Sequence, residues 1–321
     1  MAATVAASKA YDLSGGALRE DLEDVVYDIS PMDTWFMTTA GRGRCKSTSH
    51  EWLIDALGAV AANKQIEGDA FTAVARTLPS RLKNYTQISN KSIEVTETSR
   101  AVDNAGFADL MAYSTARAAK EIKRDMETAM LGNNPASAGT SVSARVSAGV
   151  ANWTTTENHI KQVPTASTVA IASGYATGAV TAGSSTAFTT ALLVEGLQVC
   201  WSVGGETDTV LTTASVYQTI SAFTGIATRF RDVGSRQQAQ IIGAADVYVS
   251  AFGSHNIRIS RYIPSTYCYL LDMKTWRVDY LRPFATQDIA KVGDSTRKLI
   301  VAEWTLVAQS PTANAKFTGV V

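Results

Sequence analysis

Residues 103–131 read DNAGFADLMAYSTARAAKEIKRDMETAML, and their apolar side chains recur at the three- and four-residue spacing of an amphipathic helix. The apolar positions are Phe107, Leu110, Met111, Ala118, Ile122, Met126, Ala129 and Met130. The polar positions on the opposite side are Arg117, Lys120, Lys123, Arg124 and Glu127. Asp103 and Asn104 are suited to cap the start of the helix, and the GNNP sequence at 132–135 ends it. At 1.5 Å per residue the helix would be roughly 40 Å long, which is about the width of a domain.

The segment at the N-terminus lacks the pattern of a compact domain. Residues 1–50 begin with small side chains and then become acidic, and Arg19 is the single base within the acidic part. The acids are Asp12, Glu20, Asp21, Glu23, Asp24, Asp28 and Asp33. The charge then reverses at Arg42, Arg44 and Lys46. Two interpretations stay open: the acidic arm of one subunit pairs with a basic segment of the next, or both are solvated surface charges.

The segments on either side of the helix differ in composition. Residues 51–92 alternate short apolar pieces with turn residues, which is typical of an extended two-stranded loop. Residues 91–102 predict a strand that leads into the helix. After the helix, residues 136–190 are rich in Ala, Ser, Thr and Gly, which favours loops or a small exposed sheet, with possible strands at 169–171 and 179–181.

The last third of the chain combines two helix patterns with many strands. Helices are predicted at 189–203 and 214–223. Strands are predicted at 209–211, 241–242, 247–249, 257–259, 269–271, 277–281 and 298–307. Because the strands cluster late and do not alternate regularly with helices, the pattern indicates an α+β fold.

Charge and composition exclude several classes of protein. The 321 residues contain 29 bases and 29 acids, and zero net charge argues against a high-affinity nucleic-acid binder. No stretch reaches the roughly 18 apolar residues of a membrane span, and the N-terminus does not have the pattern of a signal peptide. Cys45, Cys200 and Cys268 form no short pairing motif, which predicts reduced thiols in a protein assembled in the cytosol.

Residue patterns that carry catalysis are scarce. His50, His159 and His255 have no metal ligand at suitable spacing in the sequence. The sequence also lacks a phosphate-binding loop, a dinucleotide-binding glycine motif and a nucleophile elbow. Glu67 and Asp69 could be an acid and base pair, but two acids in a loop are usually surface residues. The sequence therefore predicts no catalytic, cofactor or metal site and no enzymatic activity.

An ordered set of short motifs resembles the major capsid proteins of tailed bacteriophages, which have the Hong Kong 97-type capsid fold. The motifs are YDLS at 11–14, REDL at 19–22, ISPMDT at 29–34, HEW at 50–52, EG at 67–68, NYTQI at 84–88, KRDME at 123–127, Arg145, Gly149, Trp153, DVYVSAFG at 246–253, LRP at 281–283 and KVGD at 291–294. No single motif is decisive. Their order along most of the chain carries the resemblance.

The resemblance implies an α+β subunit with five parts. They are an N-terminal arm at 1–50, an extended E-loop at 51–92, a P-domain at 93–190 with a spine helix at 103–131 and an Ala/Ser/Thr-rich insertion at 136–190, mainly the A-domain at 191–285, and the return strand of the P-domain with the C-terminus at 286–321. Copies of such a subunit self-assemble into pentamers and hexamers of an icosahedral head that encloses double-stranded DNA without sequence specificity.

The resemblance also implies partners and contacts. The partners are a portal protein, packaged DNA and in some cases a decoration protein, with assembly in the bacterial host cytoplasm, localisation in the virion and no membrane. Because the family-like stretch begins at residue 11, we expect a separate scaffolding protein. The candidate intersubunit contacts are Glu20, Asp21, Asp24, Asp28, Trp52, Glu67, Arg76, Arg81 and Lys83. The alternatives are a phage tail or surface adhesive protein and, third, a carbohydrate hydrolase.

Overall fold

The structure is a computed structural model that describes residues 33–58, 60, 62, 64, 66–68, 78–102, 109–154, 159–160, 171–182, 185–223 and 247–320. Within these ranges the helices are α1 Trp35–Thr39, α2 Glu97–Ala101, α3 Leu110–Leu131, α4 Val150–Trp153, α5 Thr190–Ser202 and α6 Ala214–Ser221. The strands are β1 Gly41–Arg44, β2 Ser49–Ile54, β3 Ser80–Tyr85, β4 Gln87–Thr96, β5 His159–Ile160, β6 Ile171–Ala172, β7 Tyr175–Ala176, β8 Thr209–Thr212, β9 Val247–Ser250, β10 Gly253–Ile259, β11 Tyr267–Leu271, β12 Trp276–Ile289, β13 Ser295–Ala308 and β14 Ala315–Thr318.

Helix α3 confirms the amphipathic pattern over Leu110–Leu131. The predicted start with Asp103 and Asn104 as caps is wrong, because the backbone of Asp109 is extended and α3 begins only after it; residues 103–108 lie outside the described residues. Asp109 caps α3, because its side chain accepts a hydrogen bond from the backbone N–H of Met111 at 2.9 Å. The buried side chains are Met111, Ala118, Ile122, Met126, Glu127, Met130 and Leu131. The apolar members of this set pack in one core with residues of β4, β13 and α1.

Glu127 contradicts the predicted polar side of α3, because it is only 1% exposed. Its two carboxylate oxygens accept N–H bonds from Phe36 and Met37, each at 2.8 Å. These N–H groups belong to the first turn of α1, where a helix leaves its donors without internal partners. Burial raises the pKa of Glu127 to about 7, although both backbone donors oppose the shift. The prediction for Glu127 is wrong because a distant segment of the chain, and not solvent, satisfies its oxygens.

The first large sheet has the strand order β1-β12-β13-β4. Strand β13 is antiparallel to both β12 and β4, and β1 runs parallel to β12 at the edge. The inner ends of the long strands carry Trp276 and Trp304, which are buried in the same core as the apolar side of α3. The outer half of β12 is exposed, so this strand pair extends beyond its core.

The second large sheet has the order β5-β14-β11-β8-β10-β9. Strand β11 is buried along its whole length because it separates two cores. Tyr267, Tyr269 and Leu271 belong to the core shared with α3, and the Tyr269 hydroxyl donates to the Leu131 carbonyl at 2.7 Å. The intervening side chains of β11 belong to a second core beneath α5 and α6.

Strand β14 contains a fully buried lysine, Lys316. Its Nζ donates to the carbonyl oxygens of Ala151 and Thr154, the latter at 3.1 Å, at the end of α4. None of the hydrogen bonds or ion pairs among the described residues joins Lys316 to a carboxylate. Burial therefore lowers the pKa of Lys316 to about 7.

The helices predicted at 189–203 and 214–223 are confirmed, and the late strand predictions within the described residues coincide with β8 to β13. The strand predicted at 241–242 lies outside the described residues. The strand prediction for 91–102 is wrong after residue 96. Thr96 accepts the N–H bond of Ser99 at 3.3 Å and thereby starts helix α2.

The possible strand at 179–181 is also wrong. The backbone N–H of Val180 donates to Asn133 Oδ1 at 2.9 Å, and its carbonyl accepts from Asn133 Nδ2 at 2.6 Å. The amide of Asn133 thus takes the groups that a neighbouring strand would need. Of the other possible strand, 169–170 lies outside the described residues, and Ile171 begins the β6–β7 hairpin.

The predicted part boundaries at 50/51, 92/93 and 285/286 fall inside β2, β4 and β12. Strand β14, from the predicted C-terminal part, lies in the six-stranded sheet.

Candidate assembly interface

The β2–β3 hairpin and the loop beyond it carry exposed apolar side chains. Its strands pair from Ser49↔Tyr85 to Ile54↔Ser80 and form a separate two-stranded sheet. The exposed apolar residues on the hairpin and the loop beyond it are Leu53, Leu57, Val60, Ile66 and Leu78, with exposures from 65% to full. A two-stranded hairpin has too little core to be stable on its own, and clustered exposed apolar side chains mark contact surfaces.

Two predicted contacts, Arg81 and Lys83, lie on β3 and are paired inside the hairpin. Arg81 Nη1 is 3.2 Å and Lys83 Nζ is 3.3 Å from carboxylate oxygens of Glu51 on β2. All three side chains remain partly exposed, so each pair stabilises the hairpin by about 1 kcal/mol or less. One carboxylate thus partly neutralises both bases.

Trp52 joins the hairpin to the body of its own subunit. Its Nε1 donates to the Ala308 carbonyl at 2.9 Å, and its ring lies 5.3 Å from that of Trp153. Glu67 is exposed in the loop, next to Gly68 with a φ of 83°, a conformation that favours glycine. The remaining predicted contacts lie outside the described residues: Glu20, Asp21, Asp24, Asp28 and Arg76. The intersubunit role of all nine residues stays a prediction.

A clasp between the β6–β7 hairpin and the base of β2–β3 was not predicted. The rings of Tyr85 and Tyr175 stack at 4.4 Å with an interplanar angle of 8°. The Tyr175 hydroxyl lies 2.8 Å from Ser49 Oγ, and the Lys83 backbone N–H donates to the Gly174 carbonyl at 2.8 Å. Gly174 has a φ of 88°, and a Cβ there would lie 2.5 Å from a backbone oxygen of β3. The sequence contains the glycine of this turn, but it does not indicate that the turn contacts β3.

A buried carboxylate, Asp279 of β12, reinforces the base of the hairpin. Its Oδ2 lies 2.9 Å from His50 Nε2 of β2, and Arg277 donates to both of its oxygens at 2.7 and 2.8 Å. Burial alone would raise the pKa of Asp279, but the contacts with His50 and Arg277 outweigh it and hold the pKa below its usual value. Asp279 therefore remains ionised and ties β2 to the four-stranded sheet.

Glu303 of β13 forms a second buried tie. It accepts hydrogen bonds from Thr86 Oγ1 at 2.8 Å, Arg145 Nη2 at 2.6 Å and Arg282 Nε at 2.8 Å. These donors overcome the effect of burial and lower the pKa of Glu303. Because Thr86 lies between β3 and β4, this network holds the hairpin at a defined position on the sheet.

The described residues contain no cluster of three or more metal-ligating side chains. Within the part of the chain that the structure describes, Ser250 Oγ and His255 Nε2 form a serine–histidine pair at 2.7 Å, with Nδ1 of the same ring 2.7 Å from the Thr207 carbonyl. Ser250 also accepts the N–H bond of Phe252 at 3.0 Å, so the group stabilises the β9–β10 turn. Burial lowers the pKa of His255.

The three cysteines are free and buried, as expected for reduced thiols. Burial raises the pKa of Cys45 and Cys200 to about 11 and that of Cys268 to about 12. Among the helices that the structure describes, none is both long and apolar enough to cross a membrane.

Solved capsid structures share this fold. The capsid asymmetric unit of Cyanophage A-1(L) aligns with a TM-score of 0.70 at 13% identity over 94% of this chain and 97% of that chain. The capsid of the native GTA particle aligns with a TM-score of 0.66 at 11% identity over 98% and 100%. A chain from Gordonia phage Cozz aligns with a TM-score of 0.62 at 12% identity over 100% and 98%. The fold is that of phage capsid proteins and agrees with the Hong Kong 97-type fold.

Sequence comparison also indicates a capsid protein. The family model described as SU10 major capsid protein matches residues 3–321. A curated protein named major capsid protein, from Escherichia phage Phieco32, is 32% identical over 123 residues, which are 38% of this chain and 34% of that protein. The chain thus matches about a third of the length of this curated relative.

Proposed function

The chain belongs to the SU10 major capsid protein family, and from this premise we propose that its copies self-assemble into the pentamers and hexamers of an icosahedral phage head around double-stranded DNA. It is a structural protein of a phage capsid. The pentamers and hexamers, the icosahedral head and the enclosed double-stranded DNA are the proposed part of this function.

The observation that carries the proposal is a hairpin with a firmly held base and an apolar, exposed outer part. Asp279, Glu303 and the Tyr175 clasp hold the base, whereas Leu57 and Leu78 are 100% and 87% exposed. Burying these side chains against a neighbouring copy would stabilise the contact by about 25 cal/mol per Å² of apolar surface. Repetition over many copies would turn modest contacts into a stable shell.

The two sheets support a division of the proposed subunit into parts. Helix α3 would be the spine helix, the four-stranded sheet the P-domain, and the six-stranded sheet the A-domain. The β2–β3 hairpin would be the base of the E-loop, and the residues before β1 would supply the arm. The nine predicted contact residues, from Glu20 in the arm to Lys83 on β3, are proposed to face neighbouring copies.

The proposed partners are a separate scaffolding protein, a portal protein, packaged DNA and, on exposed parts of the 136–190 insertion, a decoration protein. We propose assembly in the bacterial host cytoplasm. No enzymatic activity is proposed, because capsid assembly needs contact surfaces and no catalysis.

Negative-stain microscopy of the protein, produced alone and together with the proposed scaffolding protein, tests the proposal. Wild-type protein should form closed spherical shells, and a Leu57→Lys/Leu78→Lys variant should remain as small particles. Val142→Lys is the matched control, because Val142 is 95% exposed but lies outside the hairpin. Tubes or small particles from the wild type would contradict a closed shell, and normal shells from the hairpin variant would contradict the role of the hairpin.

A further inference from the structure

Strand β1 presents a row of bases at the edge of the four-stranded sheet. It pairs with β12 on one side, and the sheet order has no strand on its other side among the described residues. Arg42, Arg44 and Lys46 are exposed. Gly43, between the two arginines, packs so closely on the sheet that a Cβ would lie 2.3 Å from Asp279 Oδ1. The alternation along β1 therefore directs Arg42 and Arg44 away from that contact.

These three bases differ from Arg81, Lys83 and Arg277, because none of the ion pairs within the described ranges includes them. Arg81 and Lys83 share Glu51, and Arg277 pairs with Asp279. The two bases of β3 thus already share an acidic partner within their own hairpin. Arg42 and Arg44 on β1 and Lys46 just after it are exposed bases without such a partner among the described residues.

The acidic partner is present in the same sequence. Residues 1–33 contain seven acids and two bases, so the rest of the chain contains 22 acids and 27 bases. Residues 1–33 therefore carry a net charge of −5 and the remainder of the chain a net charge of +5. Segment 20–28, EDLEDVVYD, holds five of the seven acids. Such opposite charges guide association and fix which surfaces meet.

We infer that the β1 edge of one copy, through Arg42, Arg44 and Lys46, binds the acidic segment 20–28 of a second copy. The inference rests on the proposed self-assembly and names one contact within it. Every copy carries one acidic segment and one basic edge, so head-to-tail contacts around a closed ring neutralise both surfaces in all copies. Among the described residues no strand pairs with the other side of β1, and an added chain segment can bond the backbone of such an edge.

Charge reversal and mixing test this contact. The edge variant is Arg42→Glu/Arg44→Glu/Lys46→Glu, and the arm variant is Glu20→Lys/Asp21→Lys/Asp24→Lys. A control, Lys123→Glu/Arg258→Glu/Arg261→Glu, reverses three exposed bases elsewhere. Each variant should keep the circular dichroism spectrum of the wild type. Each test variant alone should lose at least tenfold in sedimenting shells, the control should not, and an equal mixture of the two test variants should recover shells.

Other results overturn the inference. Shells from the edge variant at wild-type yield would do so directly. Recovery in one chain that carries both sets of changes, without recovery in the mixture, would mean that the arm binds the edge of its own copy. An edge variant that forms shells but loses their nucleic acid, beside an unaffected arm variant, would assign β1 to DNA. Failure of the wild type to form shells would contradict the proposed function instead.

Discussion

Replacing Lys316 by methionine should remove a rise in stability with pH that the wild-type subunit shows between pH 7.5 and 8.5. Lys316 is fully buried, its Nζ donates to the carbonyls of Ala151 and Thr154, and burial lowers its pKa from 10.5 to about 7. Methionine has similar length and no titrating group, so it keeps most of the packing while it removes the proton equilibrium.

The sign follows from proton binding in the two states. Between pH 7 and pH 10.5 the unfolded chain holds a proton on Lys316 that the folded chain has released, so raising the pH stabilises the folded state. This stability is present at high pH and is lost as the pH falls toward 7. Over the unit from pH 7.5 to 8.5, the free energy of unfolding should rise by about 1 kcal/mol through this residue.

The pH window separates Lys316 from other buried groups. Glu127, with a pKa of about 7, destabilises the fold as the pH rises from 4.5 to 7 and has largely titrated below the window. The buried thiols titrate mainly above it, because Cys45 and Cys200 have pKa values of about 11 and unfolded thiols start near 9.

Urea denaturation of the unassembled subunit at pH 7.5 and 8.5 measures the effect. Lys316→Met should lose the increment, and Lys123→Met, at an exposed lysine of α3, should retain it. The reasoning fails if the wild type shows no increment, or if Lys316→Met keeps it in full. The difference between variants at each pH cancels contributions from all other groups.

Three further predictions concern single features. Glu127→Gln should remove a fall in stability that the wild type shows as the pH rises from 5 to 7, because the folded state keeps the proton on Glu127 that the unfolded chain releases; urea denaturation at pH 5 and pH 7 measures the difference, and an equal fall in the variant would contradict this role of Glu127. Gly43→Ala should lower the melting temperature because its Cβ would collide with Asp279, whereas Gly58→Ala, with nothing within 4 Å, should not; equal effects would exclude the packing explanation. The subunit should bind duplex DNA without sequence preference and more weakly than nanomolar at physiological salt, and a nanomolar dissociation constant in a filter-binding assay would refute that expectation.

Local patterns predicted most of the elements, because helix and strand periodicity report which side of an element is buried. Helix α3, α5 and the strands from β8 to β13 follow from such periodicity. Contacts between distant segments could not be read in this way. Glu127 has the spacing of a solvent-facing residue, and Val180 lies in a strand-like stretch, yet both bond partners far away in the sequence.

The same limit applies to the candidate interface. The exposed two-stranded loop and its bases were predictable from turn residues and charge. The pairing of Arg81 and Lys83 with Glu51 was not, because it depends on the register of β2 against β3. The Tyr175 clasp was also missed, since the weak signal of two-residue strands gives no information about which strand they contact.

Because β11 lies between two cores, the packing of both cores fixes its register. Its odd-numbered side chains, among them Tyr267 and Tyr269, face the core of α3, and its even-numbered ones, Cys268 and Leu270, face the core of α5. A slip by one residue would exchange the two sets. Large rings would then enter a space shaped for a thiol and a leucine, and the Tyr269 hydroxyl would lose the Leu131 carbonyl. A subunit with a shifted β11 would therefore lose packing in both cores. Few such copies would be stable enough to assemble.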